Sequence, residues 1–271
     1  MIDVLHVLAL LAYGGAWGLQ VRAFRAGDPG KQNPALFVTL AGVGLHLLAL
    51  GVYAGQHQVL PLIGVGPASS SLALLLVVMT LTAAEMYDVR SVSLFLLPLS
   101  LFLMGEAVWV GVEPAVRQTA FRGPWFVAHV GTTFLGYAGL ALASGAAVMY
   151  VLQFRSLKRK SFGKIFQFFP SLDSLDRVHR VGLGSGFASL TVGLVAGTAW
   201  TVTYGGGFDL GNPQVLFGLV TWSTFLAALL VRLPGGLGDR AAAKVTALAF
   251  VVTTSVFLYL RIAAGDSPFF L

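Results

Sequence analysis

Apolar runs of about twenty residues follow one another from the beginning of this sequence to its end. As an α-helix, a run of that length crosses the ~30 Å hydrocarbon layer of a bilayer at about 1.5 Å per residue. Within that layer every backbone N–H and C=O must be bonded inside the chain, which leaves only helices and closed barrels. Barrel strands alternate apolar and polar residues over about ten positions, and these runs do not. The sequence therefore predicts an all-α polytopic membrane protein, with eight spans at about residues 3–22, 35–54, 67–84, 91–110, 125–152, 178–203, 212–231 and 242–261. They form one integral membrane domain over residues 1–271. Charged residues make up 10% of the chain, against about 25% in a soluble domain. The first run is too long, and too weakly basic in front, for a cleaved signal peptide, and it reads as the first span.

The net charge of +6 is explained by where the cations fall. Arg22, Arg25, Lys31, Arg90, Arg155, Lys158, Arg159, Lys160, Lys164, Arg177, Arg232 and Lys244 occupy alternate connections on one side, and only Arg117, Arg122 and Arg261 stand clearly on the other. Basic loops mark the cytoplasmic face, so both termini are expected outside. The basicity is topogenic, and it does not indicate nucleic-acid binding. No cysteine is present, which excludes disulfides, a thioether to a cofactor and thiolate metal ligands within this chain.

Residues 193–222, GLVAGTAWTVTYGGGFDLGNPQVLFGLVTW, join the sixth and seventh spans through a glycine-rich break. Gly205, Gly206 and Gly207 permit a turn. Asn212 followed by Pro213 has the form of a cap and first turn that restart a helix. Trp200, Tyr204 and Phe208 precede the restart, and Phe217 and Trp222 follow it. Such residues form interfacial belts. Trp200 and Tyr204 also share one helical face and can wall a flat pocket.

The five histidines are the candidate ligands. His6 reads as a satisfied interfacial histidine. His46, near mid-membrane among Gly42, Gly44 and Gly51, needs a partner, either another helix or a cofactor. His57 lies in an outer connection and is either surface decoration or a ligand that reaches over a pocket. His129 stands one turn below Gly123, Pro124 and Trp125, with Thr132, Thr133 and Gly136 near it. That is the shallow depth at which a neutral imidazole can cap an aromatic belt or hold a planar metal-bearing group. His179, between Arg177 and Arg180, reads as a cytoplasmic surface or loop-pairing residue. In the same connection Phe162, Ile165, Phe168 and Phe169 predict a segment lying on the membrane surface. Pro98 should kink the fourth span. Glu106 and Glu113 are expected to face Arg117 or Arg122, and Arg90 to pair with Glu85 or Asp88.

Together these residues resemble the cytochrome c assembly family of integral membrane proteins, and within it the smaller HemX- and YpjD-type members. The resemblance covers about residues 65–260. The family's outer segment has the form G-x-x-W-A, W-G-x-Y-W-x-W-D-P-K-E, then T-W. Gly197 and Trp200 match its opening, Gly206 its internal glycine and Thr221-Trp222 its close, while Phe208 stands for the tyrosine and Asn212-Pro213-Gln214 for D-P-K. His129 matches the histidine that begins a helix and ligates haem from the outer side. The chain departs from the pattern at Gly205, Asp209 and Gly211, where tryptophans are expected, and at Val215, where glutamate is. It also lacks the histidine after the last span.

The resemblance implies a haem-binding protein of a bacterial plasma membrane that assists haem handling or cytochrome c assembly alongside other membrane subunits. The haem would be non-covalent and b-type, with His129 as axial ligand, His57 or His46 on the opposite face, and Trp200, Tyr204, Phe208 and Trp222 packed on the porphyrin. The rival reading is a cofactor-free structural or regulatory subunit of a membrane respiratory or assembly complex. A transporter for another solute is a third reading, disfavoured because paired intramembrane acids are lacking. No hydrolytic or redox enzyme constellation is evident.

Overall fold

The computed structural model describes residues 1–114, 124–161, 163–204, 211–233 and 236–264. Among them there is no strand, and the helices are α1 (Ile2–Ala26), α2 (Asn33–His57), α3 (Val65–Tyr87), α4 (Ser93–Val110), α5 (Pro124–Lys158), the short α6 (Lys164–Phe168), α7 (Leu172–Tyr204), α8 (Pro213–Arg232) and α9 (Asp239–Ala264). Eight of these are long and apolar enough to cross a membrane. Two 3₁₀ turns, Pro29–Gln32 and Arg90–Val92, lead into α2 and α4.

The first four long helices pack on one another, α1 against α2 and α4, and α3 against α4. In the second half α5 and α7 share the most extensive interface, and α9 packs on both α5 and α8. Contacts of α3 with α5 join the halves. The 35 residues of α5 make a rod of about 50 Å, longer than the hydrocarbon layer. The fifth span therefore runs past its expected end at residue 152 and carries Arg155 and Lys158 beyond the apolar zone. For the same reason α7 begins at Leu172, ahead of the expected residue 178.

A proline inside α4 shows how the bundle satisfies its own backbone. Pro98 has no N–H, so the carbonyl of Leu94, four residues earlier, lacks its helical donor. The indole N–H of Trp17 on α1 donates to that oxygen at 3.2 Å. Two expectations are corrected at the basic end. Phe168 and Phe169 do not lie on the membrane surface; they are 3% and 7% exposed and pack on Phe24 of α1 and Phe95 of α4 at centroid distances of 5.4–6.1 Å. Aromatic partners inside the protein outcompete the lipid interface for them. Phe162 lies outside the described residues. Arg90 pairs with Glu85 at 3.2 Å, one of the two acids expected.

His179 is not at the surface. It is fully buried, accepts a hydrogen bond on Nδ1 from Arg232 of α8 at 2.8 Å, and has Thr246 Oγ1 of α9 2.9 Å from Nε2. A guanidinium only donates, so Nδ1 bears the lone pair and Nε2–H donates to the threonine. Arg232 also pairs with Asp176, which binds Arg180 at 2.6 Å. A buried arginine requires such compensation, and the result pins α7, α8 and α9 together at the basic end.

Candidate functional site

The α5–α7 interface is made by missing side chains. Gly182, Gly186, Gly193 and Gly197 fall on one face of α7, opposite Gly136 and Gly139 of α5. A Cβ on Gly186 would stand 2.8 Å from the backbone nitrogen of Leu140, and one on Gly139 would stand 2.9 Å from Gly186 Cα. Close backbone approach of this kind is how helices associate where lipid removes the hydrophobic driving force.

Toward the Pro124 end the seam receives His129. Its Nδ1 lies 2.7 Å from the carbonyl oxygen of Gly193, and a Cβ on Gly197 would stand 2.6 Å from the same nitrogen. The ring therefore fits only because residue 197 has no side chain. A carbonyl only accepts, so Nδ1 carries the proton and the lone pair of the neutral ring is on Nε2. Among the described residues Nε2 has no partner. One turn nearer the end, Phe126 of α5 meets Trp200 of α7 with ring centroids 6.1 Å apart. One turn deeper, Thr133 Oγ1 is buried without a hydrogen bond. A histidine with its distal N–H fixed on a backbone carbonyl is the usual state of a metal-ligating imidazole.

The other candidates are placed differently. His46 is fully buried in a directed chain. His6 Nδ1 lies 3.0 Å from Ile2 O, so His6 is protonated there and accepts on Nε2 from Ser70 Oγ at 2.9 Å. Ser70 has a single proton to give, so His46 Nε2–H must donate to its oxygen at 2.8 Å, and His46 Nδ1 accepts from the Tyr13 hydroxyl at 3.2 Å. Both ring nitrogens of His46 are thus engaged, and as packed it has no lone pair for a metal. His6 is likewise satisfied, as expected, by the Ile2 carbonyl and Ser70.

His57 ends α2, half-buried, with its ring 4.8 Å from that of Tyr53. α2 packs on α1 and α3, whereas α5 packs on α7, α9 and α3, so no principal packing face brings His57 to His129. Trp222 sits in the middle of α8, donates to Thr191 Oγ1 at 2.9 Å and lies 5.4 Å from the Phe187 ring. These contacts lock α8 to α7, and Thr191 stands two residues from Gly193, the partner of His129. Pro213 opens α8, and the carbonyl of Asn212 accepts the first helical bond from Leu216 at 3.1 Å. Phe208, Gly205, Gly206, Gly207, Arg117 and Arg122, and the side chain of Tyr204, lie outside the described residues. Glu106 accepts from Ser69 at 2.8 Å.

Phe126 was missed by sequence reasoning, although its spacing of three from His129 repeats the spacing of Trp200 from Gly197. The glycine seam was missed too. Its signal was the run of four-residue glycine intervals at 182–186 and 193–197.

Eight candidate spans, with one imidazole seated on a glycine seam and its Nε2 without a partner among the described residues, define a polytopic helical membrane protein. A family model described as cytochrome C assembly protein matches residues 62–264, and the chain belongs to that family. The cytochrome c biogenesis protein CcsA of Guillardia theta is 27% identical over 185 residues, covering 63% of this chain and 60% of that protein. The CcsA protein of Chlamydomonas reinhardtii is 28% identical over 139 residues, covering 51% and 38%, and that of Gloeothece citriformis 30% over 143 residues, covering 53% and 37%. The matches thus span less than two thirds of the length of these relatives. No solved structure matches the chain.

Proposed function

We propose that this protein handles haem during cytochrome c assembly, with His129 as a protein ligand to the iron. The observation that carries the reading is the hydrogen bond from His129 Nδ1 to the Gly193 carbonyl. It fixes the ring on the α7 backbone and leaves Nε2 as the basic nitrogen. The residues fit the group: Nε2 of the imidazole has no partner among the described residues, the Phe126 and Trp200 rings meet one turn nearer the helix end, and neither cysteine nor a cluster of acids competes for another metal among the described residues. When bound, haem would supply an iron centre that takes a nitrogen donor, and His129 would provide it. The chain's part is to present that donor and to hold its distal proton on Gly193. With no cysteine, this chain cannot hold haem by a thioether, and non-covalent b-type haem is the form we propose.

His57 is kept as the proposed second ligand because its ring nitrogens have no hydrogen-bond partner among the described residues, although α2 has no principal packing face on the α5–α7 seam, so it would have to reach haem from beyond that seam. Trp200, Tyr204, Phe208 and Trp222 are proposed as porphyrin contacts. The relatives' printed role supports other membrane subunits as partners. Two of those relatives come from algae, and a bacterial plasma membrane remains our proposed location. The reading is tested by purifying the full chain from haem-replete cells and recording its pyridine haemochrome spectrum. Stoichiometric b-type haem is expected. Its absence after haem-replete expression would move the protein to the cofactor-free scaffold reading.

A further inference from the structure

At the opposite end of α5 two shallow clefts adjoin. The first, about 240 Å³, is lined by Val148, Val151, Leu152, Arg155, Lys244 and Ala247, between α5 and α9. The second, about 310 Å³, shares Leu152 and Arg155 and adds Ser156, Arg159, Ser161 and Ile165 toward α6. Their walls are overwhelmingly apolar, and their charged residues are all cations. Among the described residues no carboxylate lies within salt-bridge distance of Arg155, Arg159 or Lys244. The nearby acids are committed elsewhere: Asp176 and Asp239 pair with Arg232, and Arg240 stacks on Phe154 at 4.5 Å. Three uncompensated cations at the rim of two apolar clefts, where a spanning helix leaves the hydrocarbon, match an amphiphile with anionic head and acyl tails.

We propose that the α5–α9 cleft binds an anionic phospholipid, with a phosphate between Arg155 and Lys244 and acyl chain along Val148, Val151 and Ala247. Because Arg155 is shared by both clefts, the second cleft takes a second phosphate against Arg159. The favoured ligand is therefore a diphosphatidyl lipid. The site is independent of the haem reading: it lies at the other end of α5 from His129.

The test is native mass spectrometry of the full chain in detergent, titrated separately with cardiolipin, phosphatidylglycerol and phosphatidylcholine, with and without millimolar inorganic phosphate. Cardiolipin should bind one to one and more tightly than phosphatidylglycerol, with phosphatidylcholine weakest. Arg155→Ala/Lys244→Ala should weaken cardiolipin binding about tenfold or more, as expected for removal of two headgroup cations, while Lys158→Ala/Lys160→Ala should change it less than about twofold. Arg155→Lys/Lys244→Arg, which keeps the charges, should restore binding, and equal thermal midpoints would show that the variants fold. Equal losses in the two alanine pairs would mean diffuse surface charge and overturn the site. Cardiolipin no better than phosphatidylglycerol would overturn it as well. So would displacement of the lipid by inorganic phosphate, which would mark a plain anion site.

Discussion

His129 on α5 and Gly193 on α7 are joined by a 2.7 Å hydrogen bond from the imidazole Nδ1–H to a backbone carbonyl. A side chain is thereby held by an atom that no substitution at residue 193 removes. What a substitution can remove is the space for the ring. Gly197→Ala places a methyl group 2.6 Å from Nδ1, so the imidazole must move; we expect a loss of about 1–3 kcal/mol of stability and a perturbed or absent haem spectrum. Gly184→Ala, on the same helix with nothing within 4 Å of the new Cβ, should leave both unchanged. Thermal unfolding in detergent, followed alongside the visible spectrum, checks the pair.

Ser70 joins His6 to His46 by hydrogen bonds, accepting from His46 and donating to His6, beside an edge-on contact of the two rings at 5.7 Å. Ser70→Ala leaves two buried ring nitrogens unpaired, at a cost of about 1–3 kcal/mol for each group left without a partner. Because this chain of bonds lies in the first four helices, the haem spectrum should keep its shape while the melting temperature falls. A changed Soret band in Ser70→Ala would mean that His46 belongs to the cofactor site after all.

Arg232 holds Asp176 and His179 together at the basic end. Arg232→Met leaves the largely buried Asp176 with the exposed Arg180 as its remaining ion-pair partner and the His179 Nδ1 lone pair without its donor, and we expect a loss of about 1–3 kcal/mol. The double variant Arg232→Met/Asp176→Asn should recover part of it, since the buried charge is then gone. A double-mutant cycle on thermal stability measures that coupling, and additive losses would contradict the pairing.

The eight spans were legible because hydrocarbon length and backbone satisfaction leave a chain of this composition few alternatives. The helix starts at Pro124 and Pro213 were legible for a similar local reason: a proline preset for a helix's first turn reports directly on where the helix begins. What the sequence concealed was which helix each side chain meets. His179 sits between two arginines, which suggests a surface, yet its partners Arg232 and Thr246 are more than fifty residues away. Trp222 looks like an interfacial anchor until Thr191 is seen to hold its indole. Phe168 and Phe169 look lipid-facing until Phe24 and Phe95 are beside them. Each is a long-range pairing that local spacing does not encode.

The charge pattern carries its own prediction. Because the native chain has no cysteine, single cysteines at Lys160 and at Met1 followed by a leading residue can be labelled without background. In intact cells a membrane-impermeant maleimide should reach the N-terminal cysteine and not the one at position 160, as the positive-inside rule requires. Labelling at position 160 from outside would invert the topology and put His129 on the cytoplasmic side.

The most direct test of the central claim is the optical spectrum of the purified protein against that of His129→Gly, each recorded with and without added imidazole. The account predicts a haem band in the wild type that is lost or shifted in His129→Gly and regained when free imidazole fills the gap left by the side chain. A haem band that survives His129→Gly unchanged would contradict it.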